Sequence, residues 1–204
     1  MNHLFTLGHS THSIGDFVDL LQKHEVSSAI DVRSNPYSQY TPQFNRQAIE
    51  QALGEFGIAY EFAGDSLGAR SADPQMYKLG VVNFGALSTS AAFNTGIRRI
   101  EELSADQRIA IVCTEKDPVT CHRGVLVARS LVDKGFAIDH ILADGELESH
   151  SDMEDRMVTE SGLPYATLFD DHQEIVKQAY SIIGRRIAWK DPEYVEPSEA
   201  YLEH

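Results

Sequence analysis

Two patterns of apolar residues alternate along the first 143 residues of the chain. Short runs rich in apolar and β-branched residues are typical of strands, and apolar residues that recur every three or four positions are typical of amphipathic helices. Runs of the first kind predict five strands, at residues 3–7, 28–32, 58–62, 109–113 and 136–142. The second pattern predicts helices between them, which begin near Ser13 and Asn45 and include residues 93–100 and 125–132.

This alternation predicts the fold class. Strands that are separated by helices form parallel sheets, because right-handed crossovers place the helices on the faces of the sheet. We therefore predict an α/β three-layer sandwich with an open, mostly parallel sheet of about five strands. Residues 63 to about 90 lack strong periodicity and are predicted to form a long irregular connection, which in a compact domain is usually functional or flexible.

The chain is predicted to consist of an α/β domain at residues 1–143 and an acidic C-terminal extension at residues 144–204 that packs on it. The whole chain has 17 basic and 31 acidic residues and a net charge of −14, and the extension alone has 5 basic and 15 acidic residues. We expect helices in the extension near residues 148–160 and 171–185, followed by an extended stretch from Trp189 onwards.

Composition and charge disfavour several classes of protein. Nucleic-acid backbones repel an acidic chain that has no run of Lys or Arg, so a nucleic-acid-associated protein is the least favoured of our hypotheses. No apolar run approaches the ~20 residues of a membrane span, and the amino terminus lacks the basic start and apolar run of a signal peptide. Two cysteines make no disulfide framework. We therefore expect a cytoplasmic protein without a membrane partner, and the sequence leaves its oligomeric state open, a homo-oligomer included.

Polar residues follow four of the predicted strands at the point where each strand ends. In open parallel sheets, ligands bind beyond the carboxyl ends of the strands, where loops and helix amino termini converge. We therefore expect these residues to gather at one edge of the sheet. They lie within residues 8–12, 31–36, 64–70, 113–118 and 121–123.

The residue types at this edge favour an enzyme that acts on a small anionic compound. Arginine has planar donors suited to carboxylate or phosphate, so we expect Arg33 and Arg123 to bind the anion. The other predicted ligand-binding residues are Ser10, Gly68, Arg70 and Glu115.

Four residues are predicted to be catalytic. His9 and His122 would transfer protons near neutral pH, and Asp31 would act as a base or orient Arg33 or His9. Cys121 lies at a predicted helix start, where the lowered pKa of a thiol favours a nucleophile. The alternative is that Cys121 is a small core residue and that Arg123 pairs with a structural acid.

A second hypothesis is a metal- or redox-sensing module built on Cys113, Cys121 and His122. Seven residues separate the two cysteines, unlike the roughly two to four of common zinc knuckles, so a fourth ligand would have to come from elsewhere. Arg123 is too near Cys121, and too far from Cys113, for the short anion loop of cysteine phosphatases. Because GxxxxGK[ST], GxGxxG and HExxH motifs are absent from the sequence, we predict no nicotinamide, flavin or other cofactor.

Five short motifs together resemble the DUF488 family of uncharacterised bacterial and archaeal proteins. They are TLGHS, DVRSNPYS, PQFN, LGAR and CTEKDP followed by CHR, and the resemblance covers residues 4 to about 142. It implies an α/β domain in which the recurrent polar positions of the family correspond to His9, Ser10, Asp31, Arg33, Gly68, Arg70, Cys113, Glu115, Cys121, His122 and Arg123. Thr11 stands where the family often has Asn, and Ala69 where it often has Gly. The resemblance implies no established reaction. It does not identify the substrate, and phosphorylated and nucleotide-like compounds are among the candidates.

Overall fold

A computed structural model of the protein describes residues 3–164 and 172–194. Its main sheet has six strands in the order β3-β2-β6-β1-β7-β8, and β4 and β5 form a separate antiparallel pair. The strands are β1 His3–Gly8, β2 Ser28–Asp31, β3 Ala59–Phe62, β4 Tyr77–Lys78, β5 Val81–Val82, β6 Ile109–Cys113, β7 Ala137–Ile141 and β8 Leu147–Ser149. The chain is thus an α/β protein, and the five predicted strands form the parallel part of its main sheet.

The helices connect the strands and cover both faces of the sheet. They are α1 Ile14–Lys23, α2 Arg46–Glu55, α3 Gly64–Leu67, α4 Phe84–Thr89, α5 Ala91–Leu103, α6 Arg129–Val132, α7 His150–Ser161 and α8 His172–Ile187. A π-helical segment, Arg123–Ala128, leads directly into α6. Short 3₁₀ turns occupy Pro42–Phe44 and Pro74–Met76.

Alternate residues of the central strand β6 face opposite layers, as the pleat of a strand requires. Ala110 and Val112 pack with the apolar residues of α1 and α2, whereas Ile109 and Ile111 pack with those of α5 and the π-helical segment. All five residues of β6 are buried, which explains why this strand is a continuous apolar run in the sequence. The result is the predicted three-layer arrangement.

Two details differ from the sequence prediction. The sheet has a sixth strand, β8, which runs antiparallel to β7 after a turn at Gly145. Its three residues are too few for a period-two pattern to stand out, and α7 consequently begins at His150 rather than near residue 148. Residues 63–90, predicted to be irregular, contain α3, β4, β5 and α4, each too short to produce a recognisable period.

The C-terminal helices α7 and α8 pack against each other and against the segment that follows β6. Met153 and Ile183 belong to a buried cluster that also contains Val119 and Val125. Beyond α8, the carbonyl of Trp189 accepts a hydrogen bond of 3.0 Å from the backbone of Val82. The predicted extended stretch lies mostly outside the described residues. In the described ranges, no helix has the length and apolar character needed to cross a bilayer.

Candidate functional site

The carboxyl ends of β1, β6 and β2 lie side by side, because β6 pairs in parallel with both of the other strands. The ladder between β1 and β6 continues beyond the strands: the backbone N–H groups of His9 and Ser10 donate to the carbonyls of Cys113 and Thr114, both at 2.9 Å. Gly8 permits this close approach, since a Cβ there would overlap the Glu115 carbonyl. The loops after these strands are therefore held against one another.

Arg33 organises the loop after β2 through its ion pair with Asp31. Its Nε and Nη2 donate to the Asp31 carboxylate at 2.9 and 2.6 Å, and Nη2 also donates to the carbonyl of Phe44 at 2.9 Å. The carboxylate accepts a further hydrogen bond of 2.7 Å from the hydroxyl of Tyr60. Asp31 is fully buried and its oxygens are occupied by these donors, so the pair forms a fixed wall of the site.

His9 is held neutral behind this wall. Arg33 Nη1 lies 3.1 Å from His9 Nε2, and because a guanidinium group can only donate, Nε2 is the acceptor and the ring proton lies on Nδ1. That proton is donated to the Ser10 carbonyl at 3.1 Å. Burial and the charge of Arg33 lower the pKa of His9 to about 4. The ring also stacks on Phe44 with 4.3 Å between centroids.

A cluster of two thiols and an imidazole lies at the end of β6. One ligand atom from each of Cys113, Cys121 and His122 lies within 4.8 Å of the other two, and Cys113 Sγ is 3.6 Å from His122 Nδ1. We call these three residues the Cys–Cys–His cluster. His122 Nε2 lies 3.0 Å from the Val32 carbonyl and donates to it, which leaves Nδ1 facing the sulfurs. Glu115 Oε2 is 2.9 Å from Cys121 Sγ and 3.3 Å from Cys113 Sγ.

The groups in this cluster ionise differently. Burial raises the pKa of the Cys113 thiol well above its usual value. Burial also opposes ionisation of Cys121, but a hydrogen bond from Cys113 and the charge of Arg123 outweigh it and lower the pKa of Cys121. Burial acts to lower the pKa of His122, but contact with the Cys121 thiolate outweighs burial and raises this pKa. The pKa of Glu115 is raised both by burial and by the same thiolate. The cluster thus favours one thiolate, which is the reactive and metal-ligating form of cysteine.

Arg123 lies beneath the loop that follows β6 and is fully buried. Its Nη1 donates to the Glu115 carbonyl, its Nη2 to the Lys116 carbonyl at 2.9 Å, and its Nε to Thr6 Oγ1 at 3.3 Å. The guanidinium group therefore fixes the loop through its backbone and places a positive charge close to Cys121. Arg123 also opens the π-helical segment, a rare conformation that is frequent at functional sites.

A small polar pocket of about 180 Å³ opens beside the cluster. Arg33, Arg70, Cys113, Glu115 and His122 line it, together with hydroxyl groups and Trp189. The lining residues with hydroxyl groups are Ser34, Thr114 and Thr120. Arg70 is exposed, and its guanidinium carbon lies 5.3 Å from the centroid of the Trp189 ring.

The remaining predicted site residues lie around this pocket rather than in its lining. Ser10 has a φ of +44° and its backbone N–H is bound to Thr114. Gly68 allows two loops to meet, since a Cβ there would overlap Ser34 Oγ and the Gly64 carbonyl. The structure therefore brings Arg33, Arg70, Cys113, Glu115 and His122 to one cavity. His9 and Asp31 lie behind Arg33, and Cys121 and Arg123 lie below.

Sequence reasoning missed a buried chain of hydrogen bonds that begins at Arg123. Thr6 Oγ1 lies 2.8 Å from His140 Nδ1, His140 Nε2 lies 3.1 Å from His150 Nδ1, and His150 Nε2 lies 2.8 Å from the Tyr180 hydroxyl. The hydroxyl of Tyr180 donates to Glu154 Oε1 at 2.8 Å. The two histidines are separated by ten positions, and nothing in the local pattern around either one indicates that they meet.

A second, wider hollow of about 730 Å³ lies between α6, α7 and α8. Arg129, Glu154 and Tyr180 are among its lining residues, and the Arg129 guanidinium carbon lies 3.9 Å from the centroid of the Tyr180 ring. The lining of this hollow does not include the Cys–Cys–His cluster. Size alone therefore does not identify the site, and the chemistry of the side chains favours the smaller pocket.

The fold and the site together define an α/β protein with a Cys–Cys–His cluster at the carboxyl edge of a parallel sheet. The chain belongs to the family described as "Domain of unknown function DUF488", whose model matches residues 13–130, more than half of the chain. Comparison with curated proteins and with solved structures gives no match. The match includes the Cys–Cys–His cluster, Arg33 and Arg70, and the family carries no assigned function.

Proposed function

We propose that this protein binds a thiophilic divalent metal ion, of the class that zinc represents, through Cys113, Cys121 and His122. The observation that carries the proposal is the proximity of three soft ligand atoms from two separate segments, all within 4.8 Å of one another. Two thiolates and one imidazole are a known ligand set of zinc sites that keep a fourth position open for water or substrate.

The surroundings of the cluster suit a metal ligand set. The hydrogen bond from His122 Nε2 to the Val32 carbonyl orients the ring and leaves Nδ1 as the ligand atom. In metal-bound histidines, the nitrogen that does not bind the metal usually donates a hydrogen bond of this kind. Thiols must lose their protons to bind a metal. Arg123 favours that loss at Cys121 and also fixes the loop that carries Glu115.

The neighbouring pocket favours a small anionic ligand, and the protein would then be a metal-dependent enzyme that acts on it. The contacts of Arg33 leave one hydrogen of Nη1 without an acceptor among the described residues, and Arg70 adds a second guanidinium group. The volume of about 180 Å³ is below the roughly 300–1,000 Å³ of pockets for drug-sized ligands. A small carboxylate or phosphate compound therefore fits this pocket better than a nucleotide.

Metal analysis of the purified full-length chain tests the metal site. After reconstitution with zinc under reducing conditions, we expect about one metal ion per chain. Cys113→Ser, Cys121→Ser and His122→Gln should each weaken binding at least about tenfold. His3→Gln, which removes a half-buried histidine paired with Asp139, serves as the matched control and should bind like the wild type. Wild-type protein that stays metal-free under these conditions would overturn the proposal.

A second candidate is thiol chemistry at Cys121 without a metal ion, which the lowered pKa of this thiol favours. Because only 1% of Cys121 is exposed, its thiolate could attack a substrate only after the structure opens around it. Binding of a metal ion by the same sulfur requires no such movement. Alkylation of metal-free protein at neutral pH distinguishes the two. Alkylation of Cys121 ahead of Cys113, slowed by added phosphate, together with no metal binding, would favour the nucleophile.

A further inference from the structure

Glu115 lies beside the Cys–Cys–His cluster, at the small pocket that Cys113 and His122 also line. Its Oε2 contacts both sulfurs, at 2.9 Å from Cys121 and 3.3 Å from Cys113. Glu115 lines the pocket, whereas Cys121 is buried behind it. A ligand in the pocket therefore meets this carboxylate together with Cys113 and His122.

The two sulfurs next to the Glu115 carboxylate favour a cation that the carboxylate and the sulfurs would bind together. A thiol is only a weak hydrogen-bond donor and a thiolate has no proton to donate, so the two sulfurs stabilise a carboxylate less well than hydroxyl or amide donors would. A divalent ion held by the sulfurs would attract both the carboxylate and the thiolates, and carboxylate oxygen is an established zinc ligand.

The backbone and the side chain of Glu115 are restrained to different degrees. The backbone carbonyl accepts a hydrogen bond from the buried guanidinium group of Arg123, which fixes the position of the residue. The side chain extends from an exposed loop, so it can turn into the pocket without any movement of the backbone of Glu115. This arrangement permits the carboxylate to approach and leave the cluster while the loop stays in place.

Resting on the proposed metal site, we infer that Glu115 is the exchangeable fourth ligand of the metal and that a small carboxylate entering between Arg33 and Arg70 replaces it. The exchange swaps one carboxylate oxygen for another at the metal and requires no redox step. Arg70 is the group that attracts the entering anion, because its guanidinium group is exposed at the pocket and stacks on Trp189. The negatively charged carboxylate of Glu115, once displaced from the metal, moves towards solvent.

Cobalt(II) in place of zinc gives a spectroscopic test, because cobalt absorption reports both thiolate ligands and coordination geometry. In the wild type we expect a sulfur-to-cobalt charge-transfer band that Cys121→Ser weakens, because Cys113 then remains as the one thiolate ligand. Glu115→Ala should keep that band, change the ligand-field bands and weaken cobalt binding about tenfold. Glu146→Ala, which removes an exposed glutamate elsewhere on the chain, should leave the spectrum unchanged.

Titration with acetate, against chloride at equal ionic strength, tests the exchange. Acetate should change the ligand-field bands of the wild type and bind about tenfold more tightly to Glu115→Ala, because no internal carboxylate competes for the metal. Arg70→Gln should weaken acetate binding about three- to tenfold.

The outcomes separate the two proposals. A wild type without a charge-transfer band overturns the metal site itself. A band accompanied by identical spectra of the wild type and Glu115→Ala overturns the role of Glu115 alone. Acetate that leaves both spectra unchanged overturns the exchange, as does acetate binding that Arg70→Gln does not weaken.

Discussion

Arg33 and Arg123 are both buried arginines next to the same site, and their guanidinium groups are satisfied in different ways. Arg33 neutralises the buried carboxylate of Asp31 and keeps one Nη1 hydrogen for the pocket. Arg123 donates to two backbone carbonyls and a hydroxyl. Both were predicted to bind an anion. The contacts of Arg123 instead suit a positioning residue, and anion binding by either arginine stays a prediction.

Gly8 is the residue at which the site depends most directly on the absence of a side chain. In Gly8→Ala, the new Cβ would overlap the Glu115 carbonyl and push away the loop that carries the cluster. We expect a loss of about 2 kcal/mol or more in the free energy of unfolding, because a backbone carbonyl cannot turn aside as a side chain can. Urea denaturation measures this loss, and the same substitution should weaken metal binding.

Gly54→Ala is the matched control for Gly8→Ala. Gly54 lies in α2, and a Cβ there has no atom within 4 Å. Alanine should raise the stability by up to about 1 kcal/mol, since it has the higher helix propensity. Equal effects of the two substitutions would show that the contact at Gly8 is unimportant.

At the level of elements, the hydrogen-bond chain links β1, β7, α7 and α8. Its direction is set at the Glu154 end, because the Tyr180 hydroxyl donates to Glu154 and each buried histidine, with its lowered pKa, is neutral and has one ring proton to donate. Thr6 therefore donates to His140, His140 to His150, His150 to Tyr180 and Tyr180 to Glu154. Each histidine is neutral with its proton on Nε2. The C-terminal helices are thereby connected to Arg123, which holds the loop that follows β6.

A double-mutant cycle measures whether this chain acts as a unit. Thr6→Val and Tyr180→Phe each remove one hydroxyl and leave a buried histidine nitrogen unpaired, so each should cost about 1–3 kcal/mol of stability. Because the hydrogen bonds polarise one another along the chain, we expect a coupling energy of at least about 0.5 kcal/mol between the two sites. Unfolding free energies that add to within about 0.3 kcal/mol would contradict this expectation.

The elements that could be predicted from the sequence are those long enough to display a period or a continuous apolar run. β6 and α5 belong to this group, because five buried strand residues and four buried helix positions leave a clear pattern. The short β8 does not. The polar edge could be predicted because every parallel strand ends on the same side. The pairing of Arg33 with Asp31 is one of the roles that the sequence left open for Asp31, whereas the contact of His140 with His150 depends on side-chain directions that the sequence pattern does not encode.

At the scale of the whole molecule, the C-terminal helices connect to the rest of the protein in three ways. β8 extends the main sheet, the buried cluster around Met153 includes Val119, and the hydrogen-bond chain runs from Glu154 to Arg123. Because of these contacts, α7 and α8 are better described as part of the same folding unit as the main sheet. The boundary between residues 143 and 144 stays a prediction.

Buried neutral histidines predict how the stability of the whole protein depends on pH. Burial lowers the pKa of His150 to about 4, and burial and the charge of Arg33 lower the pKa of His9 to about 4. Burial together with His150 lowers the pKa of His140 well below its usual value. In the unfolded chain these groups titrate near 6.5. Between these values the unfolded state binds more protons, so stability is fully present above about pH 6.5 and falls as the pH decreases towards 4.

His9 and His150 should each contribute on the order of 1–3 kcal/mol to this loss, and His140 acts in the same direction. The raised pKa of Glu154, which follows from burial, acts in the opposite direction and makes the net change smaller than the sum of the three. Urea unfolding at pH 7.5 and pH 5, with a chelator present so that metal binding does not contribute, measures the difference. His150→Gln should reduce the pH dependence relative to the wild type, even though it lowers stability at pH 7.5. A wild type that is equally stable at both pH values would contradict the assignment of neutral histidines in the core, as would a variant with an unchanged slope.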